Sequence, residues 1–282
     1  MYVGITLCAP SHLFLSHKGI YKIELIQNSN GDSESIRDIV GQANIEFIQT
    51  SQGLVCNENW SFFVYYYPEE SLDSLTDDAL SDNDEGDSHY FSYNVMSTIN
   101  NDQSFDFECQ KTYPSRETMQ VKGKGYFEDA DYYLNIQGLH NIQINQSKRI
   151  FSFAHIGYLL DKSRHNFPKP MTCLLFDPKL GYNFDASWDD DKSFTLYKVN
   201  MMSYPLPDNK SIDIKHPLIP KQKPWVAQLN MFDYHNNMMT PQCNMSITFL
   251  KEGIITEMIC PCPGIDNAKI RLKLIKVEVY KV

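Results

Sequence analysis

The chain has 282 residues (32.7 kDa), 42% of them apolar and 21% charged, with 16 Phe, 17 Tyr and 3 Trp. That supply of apolar side chains can build a sizeable core and excludes a wholly disordered chain. The formal net charge of −10 argues against general binding of nucleic-acid backbones, which relies on Lys and Arg to neutralise phosphates.

The first residues, "MYVGITLCAPSHLFLSHKG", carry no basic group ahead of their apolar part, so no secretory signal is expected there. In "GIYKIELIQ" the period is two: Ile20, Lys22, Glu24 and Ile26 share one face, and Tyr21, Ile23 and Leu25 share the other. "DSESIRDIVG", residues 32–41, reads instead as a short helix. Asp32 or Ser33 could cap it, Ile36, Ile39 and Val40 fall at i, i+3 and i+4, and Gly41 could close it. Strand patterns then follow in "NIEFIQ", "WSFFVYYY", "HYFSYNVMS", "SFDFEC", "YYLNIQ", "NIQINQ", "RIFSF", "MTCLLF", "GYNFDAS", "SFTLYKVN", "WVAQLNMF", "NMSITFL" and "IITEMIC". Residues 203–224 hold five prolines, which cannot donate to a ladder, so a long extended connection is expected there.

The last strand is the most legible. In "KIRLKLIKVEVYKV", Ile270, Leu272 and Leu274 alternate with Lys269, Arg271 and Lys273, and then Ile275, Val277 and Val279 alternate with Lys276 and Glu278. The adjacent pair Leu274–Ile275 marks a slip of phase, and a β-bulge there would keep one continuous strand against the core. With one short helix against about fourteen strands, the class is all-β, mainly an antiparallel sandwich or barrel with at most one or two short helices. A single large domain over residues 1–282 is expected. The alternative is an acidic, Tyr-rich domain over 1–110 and a mildly basic one over 111–282; a further boundary option lies at "DKSRHNFPKP", residues 161–170.

Charge is unevenly spread. No Lys or Arg occurs between Arg37 and Lys111, while residues 38–110 hold 15 acidic groups; residues 111–282 sum to +5. Nine of those acids lie between Glu69 and Asp87. A calcium loop fails here: placing Gly86 at the glycine position puts Ser81 first and Ser92 last, where acids are required. Like charges in a run repel and stay solvated, and they also raise a strong local potential. Ser71, Ser74, Thr76, Ser81 and Ser88 lie among them, where phosphorylation would deepen that potential. Tyr and Phe crowd both flanks. The candidate partner-binding residues are therefore Tyr65, Tyr67, Glu69, Glu70, Asp77, Asp78, Asp82, Asp84, Glu85, Asp87 and Tyr90, and the partner expected for them is a basic protein or peptide.

Other clusters are weaker. Cys260 and Cys262 form C-x-C, with Cys243 and His235 as further conceivable zinc ligands, but zinc sites generally use C-x₂₋₄-C. "SWDDDKS", residues 187–193, reads as a hairpin turn with Asp at turn positions, although Asp185, Asp189 and Asp191 could share a cation. Seven cysteines, mostly in apolar runs, read as buried thiols of a reducing compartment, so an intracellular, cytoplasmic protein is expected. Nucleophile-elbow, phosphate-loop, dinucleotide-loop and H-E-x-x-H motifs are all absent, and no apolar run approaches the ~20 residues of a membrane helix. No metal or cofactor is expected. The leading reading is a non-catalytic binding or assembly module using the acidic, aromatic-rich surface of residues 60–93. The alternatives are a β-barrel carrier of an apolar small molecule and an enzyme with an unrecognised carboxylate or thiol site.

Overall fold

The computed structural model describes residues 15–28, 36–67, 87–102, 104–115, 117–128, 131–137, 142–144, 150–181, 195–207, 223–235, 239–265 and 268–280. Eight strands form a meander: β1 (His17–Asn28), β2 (Ile36–Thr50), β3 (Gly53–Tyr66), β4 (Ser88–Asn100), β5 (Phe105–Thr112), β6 (Thr118–Glu128), β7 (Asp131–Ile136) and β8 (Ile142–Ile144). After β9 (Ile150–Ser152) come a single 3-10 turn (Phe153–His155), helix α1 (Ile156–Asn166), β10 (Met171–Phe176) and the four-residue helix α2 (Pro178–Gly181). A second meander returns through β11 (Tyr197–Pro205), β12 (Trp225–Asp233), β13 (Cys243–Phe249), β14 (Ile255–Pro261) and β15 (Ala268–Val279).

Among the described residues all fifteen strands belong to one sheet, because β1 pairs antiparallel with β2 on one side and with β15 on the other. The edges of the sheet are β8 and β9. β8 ends at Ile144 and β9 begins at Ile150, six steps along the chain, so these ends lie at most about 22 Å apart. The sheet therefore curls into a barrel-like shell, and rings meet across its interior. Phe107 on β5 lies 5.1 Å from Phe176 on β10, and Phe105 lies 5.8 Å from His155. The expected all-β class holds. β5 runs across position 110–111, where the charge balance changes, and residues 161–170 form the end of α1 and its turn into β10.

The interior holds α1. It packs on β11 and β12, and Ser163 of α1 accepts a 2.9 Å hydrogen bond from Ser203, whose side chain faces inward with Val199 and Met201. The crossover from β9 through α1 to the parallel β10 places the helix on that inner face. One contiguous cluster of buried side chains includes Tyr21, Phe47, Phe62, Phe105, Leu160, Phe176, Met201, Phe249 and Leu272.

Three local expectations need correction or completion. Residues 36–41 are strand, not helix. The register between β2 and β3 shifts between Ile36 and Asp38, so Arg37 is an extra, bulged residue. The bulge puts Ile36 and Ile39 on the inner face at a spacing of three, which imitates a helical stripe. β6 carried no strand pattern because its inner face includes glycines. A Cβ on Gly123 would come within 2.6 Å of the Phe107 ring, and one on Gly125 would collide with Phe105, so the empty positions accommodate rings from β5. In β15, Ile20 pairs with Lys276 and Tyr21 with Leu274, which leaves Ile275 as the bulged residue. Ile275 is exposed rather than inward-facing, while Val277 and Val279 pack with Leu250 and Ile254 in a small second cluster.

Candidate binding surface

On the outer face of β2–β4, side chains alternate away from the core. Cross-strand pairing sets Val40 beside Phe63 and Phe63 beside Tyr90. All three are exposed, at 42%, 45% and 39%. The rings of Phe63 and Tyr90 stand 5.1 Å apart at 51°. The next row holds Asp38, Tyr65 and Ser88, with Tyr65 6.4 Å from Phe63. On the opposite side of the aromatic row, Gln42, Ser61 and Ser92 form a polar row, so the apolar patch has a definite border. The Arg37 bulge brings its guanidinium over the Tyr65 ring, 5.7 Å from the centroid.

Tyr67, 54% exposed, follows the end of β3, and the amide of Tyr66 donates to the Asp87 carbonyl at 3.0 Å to close the ladder before β4. Among the candidate residues, Tyr65, Tyr67, Asp87 and Tyr90 thus gather at one end of the β3–β4 pair. Glu69, Glu70, Asp77, Asp78, Asp82, Asp84 and Glu85 lie outside the described residues, as do Asp185, Asp189 and Asp191. Phe63, Val40 and Arg37, which are not among the sequence candidates, complete the patch. Alternation alone puts Phe63 on Tyr65's face, but the Arg37 bulge has no local signal.

A second cluster is buried. Lys179 of α2 donates to Glu58 Oε2 of β3 at 2.9 Å and to Asp177 Oδ1 at 2.9 Å, and Trp60 Nε1 donates to the same Glu58 oxygen at 3.1 Å. All three ionisable side chains are at most 2% exposed. Burial works against the Lys179 charge, but the two carboxylates outweigh it and hold its pKa above the usual lysine range. Burial pushes the Glu58 carboxyl up despite the neighbouring ammonium. The Lys179 ammonium also lies 4.6 Å from the Phe153 ring centre. Beside it is a void of about 10 Å³, bordered by Trp60, Phe153, Met258 and Cys260, with room for about one water. The arrangement resembles a clamp between α2 and β3 rather than a substrate pocket.

Cys260 and Cys262 are both buried, and Cys243 is half-buried with burial pushing its thiol up to about 11. Among the described residues no group of three or more His, Cys, Asp or Glu side chains is placed to hold a metal ion. The buried Ser152–His155 pair (3.1 Å) belongs to the cap of the 3-10 turn. Among the described residues no helix is long and apolar enough to cross a membrane.

No protein-family model and no curated protein matches this chain. Among solved structures, it is similar to the crystal structure of a β-barrel-like protein of the domain of unknown function DUF1849 from Brucella abortus. The TM-score is 0.66 at 15% identity, covering 95% of this chain and 99% of that chain. At that identity the likeness is one of fold.

Proposed function

We propose that this protein is a non-catalytic binding module, a single large β domain whose β2–β4 outer face engages a basic protein or peptide. The observation that carries the reading is the exposed row Val40–Phe63–Tyr90 beside Tyr65 and Tyr67, bordered by polar residues. The acidic run from Glu69 to Asp87 leaves and re-enters the sheet at this patch, because it connects β3 to β4. Rings that bury area at low entropy cost, next to carboxylates that attract cations over longer range, suit a cationic partner.

The test is titration of an oligo-lysine peptide against the whole protein at rising ionic strength. Binding should weaken as salt screens the carboxylates. The double variant Phe63→Ser, Tyr90→Ser should lose about tenfold or more in affinity, the loss of roughly 1.4 kcal/mol or more that truncating interface anchors brings. Salt-independent binding, or unchanged affinity of the double variant, sinks the proposal.

The β-barrel carrier is the second reading, supported by the fold likeness to a β-barrel-like protein. An apolar ligand copurifying with the protein in native mass spectrometry would favour it, and α1 already occupies interior space along β11 and β12.

A further inference from the structure

We infer that Arg37 is an internal occupant of the recognition surface, and that the partner group it stands in for is an arginine guanidinium. The inference rests on the basic-partner reading above and names that partner's chemistry. Three observations support it. First, the bulge between Ile36 and Asp38 adds one residue to β2, and that residue is Arg37; bulges re-aim side chains. Here the side chain is aimed along the outer face onto Tyr65. Second, Tyr65 belongs to a set of rings, and Phe63 and Tyr90 next to it keep exposed faces at the same end of the sheet. Third, Arg37 is the last basic residue in the sequence before Lys111, so the acidic segment between them supplies no cation of its own.

The choice of arginine follows from geometry. A guanidinium is planar and weakly hydrated, so it stacks on a ring and still donates in its plane to a carboxylate such as Asp38, the cross-strand neighbour of Tyr65; an ammonium is a compact, strongly hydrated point charge. An incoming arginine competes with Arg37 for the Tyr65 ring. It can also use the free faces of Phe63 and Tyr90. Arg37 therefore lowers the affinity for every cation by repulsion, and for arginine also by occupying a stacking position.

The experiment compares oligo-arginine and oligo-lysine peptides of equal length, titrated into the wild-type chain, Arg37→Gln and Tyr65→Leu by calorimetry. Wild type should prefer oligo-arginine. Arg37→Gln should tighten oligo-arginine by about two- to fivefold more than oligo-lysine, the equivalent of one exposed cation–π contact. Tyr65→Leu, which leaves the inner face untouched, should erase that difference. Equal binding of both peptides to wild type, or an Arg37→Gln gain that is the same for both, overturns this inference and leaves the basic-partner reading standing. Binding of neither peptide removes both.

Discussion

Lys179 is the residue on which most of the buried charge depends. Taking an ammonium and two carboxylates out of water costs several kcal/mol per ion, and the cost is offset only while every partner is in place. Glu58 accepts from both Lys179 and Trp60, and Asp177 accepts from both the Lys179 ammonium and its backbone amide. Replacing Lys179 with Met leaves two carboxylates facing each other in the core. A loss of about 3–5 kcal/mol is expected, read as a lower urea midpoint at unchanged slope. Glu58→Gln should cost far less, because the amide oxygen still accepts from Trp60 and Asp177 still neutralises Lys179. A second residue sets a pH dependence. His17 is fully buried against Phe47, its Nδ1 is 2.6 Å from the Leu15 carbonyl, and burial lowers its pKa from the usual 6.5. The unfolded chain therefore binds a proton more readily than the native one. The stability this contributes is complete above about pH 6.5 and falls away as pH drops through the native value. The stability difference between wild type and His17→Asn should shrink over that same window, and a constant difference would show that His17 does not titrate this way.

Strands show where local pattern succeeds and where it misleads. β1, β3, β4 and β5 alternate cleanly, because each has one face on the core and one in solvent. The start of β2 has a helix-like pattern because a bulged residue moves Ile36 into phase with Ile39 at the wrong spacing, and nothing in "SIRDIV" marks Arg37 as the extra residue. β6 lacks a legible strand pattern for the opposite reason: its inner positions are small because Phe105 and Phe107 of the neighbouring strand fill the space, so its apolar signal is carried by another element. That account makes a prediction. Gly125→Ala adds one methyl where the Phe105 ring and the Tyr132 hydroxyl already sit, and should cost about 1–3 kcal/mol by overpacking, seen in the urea midpoint. A neutral result would mean that β6 and β5 are not packed this closely.

At the scale of the whole molecule, the two meanders depend on each other. β1 takes β15 as a partner, Glu58 of the first half holds Lys179 of the second, and Phe107 touches Phe176. Unfolding is therefore expected in a single transition, with Trp60 and Trp225 fluorescence and far-ultraviolet circular dichroism coinciding in urea. Two separated transitions would favour the division near residue 110. The placement of strand ends also belongs to this scale. In an antiparallel meander, alternate connections emerge at the same end, so the C-terminal ends of β3 and β10 lie at one rim of the shell.

By itself the sequence determined the all-β class, the positions of most strands, the slip at Leu274–Ile275 and the concentration of acid between two aromatic strands. These are local properties, expressed in side-chain alternation and composition. Only the tertiary structure decided that the sheet curls, that α1 sits inside it, that Lys179 meets Glu58, and that Val40, Phe63 and Tyr90 form one row on three strands. Each of those depends on register or closure between segments far apart in the chain, and alternation within a strand carries no information about which neighbour it will face.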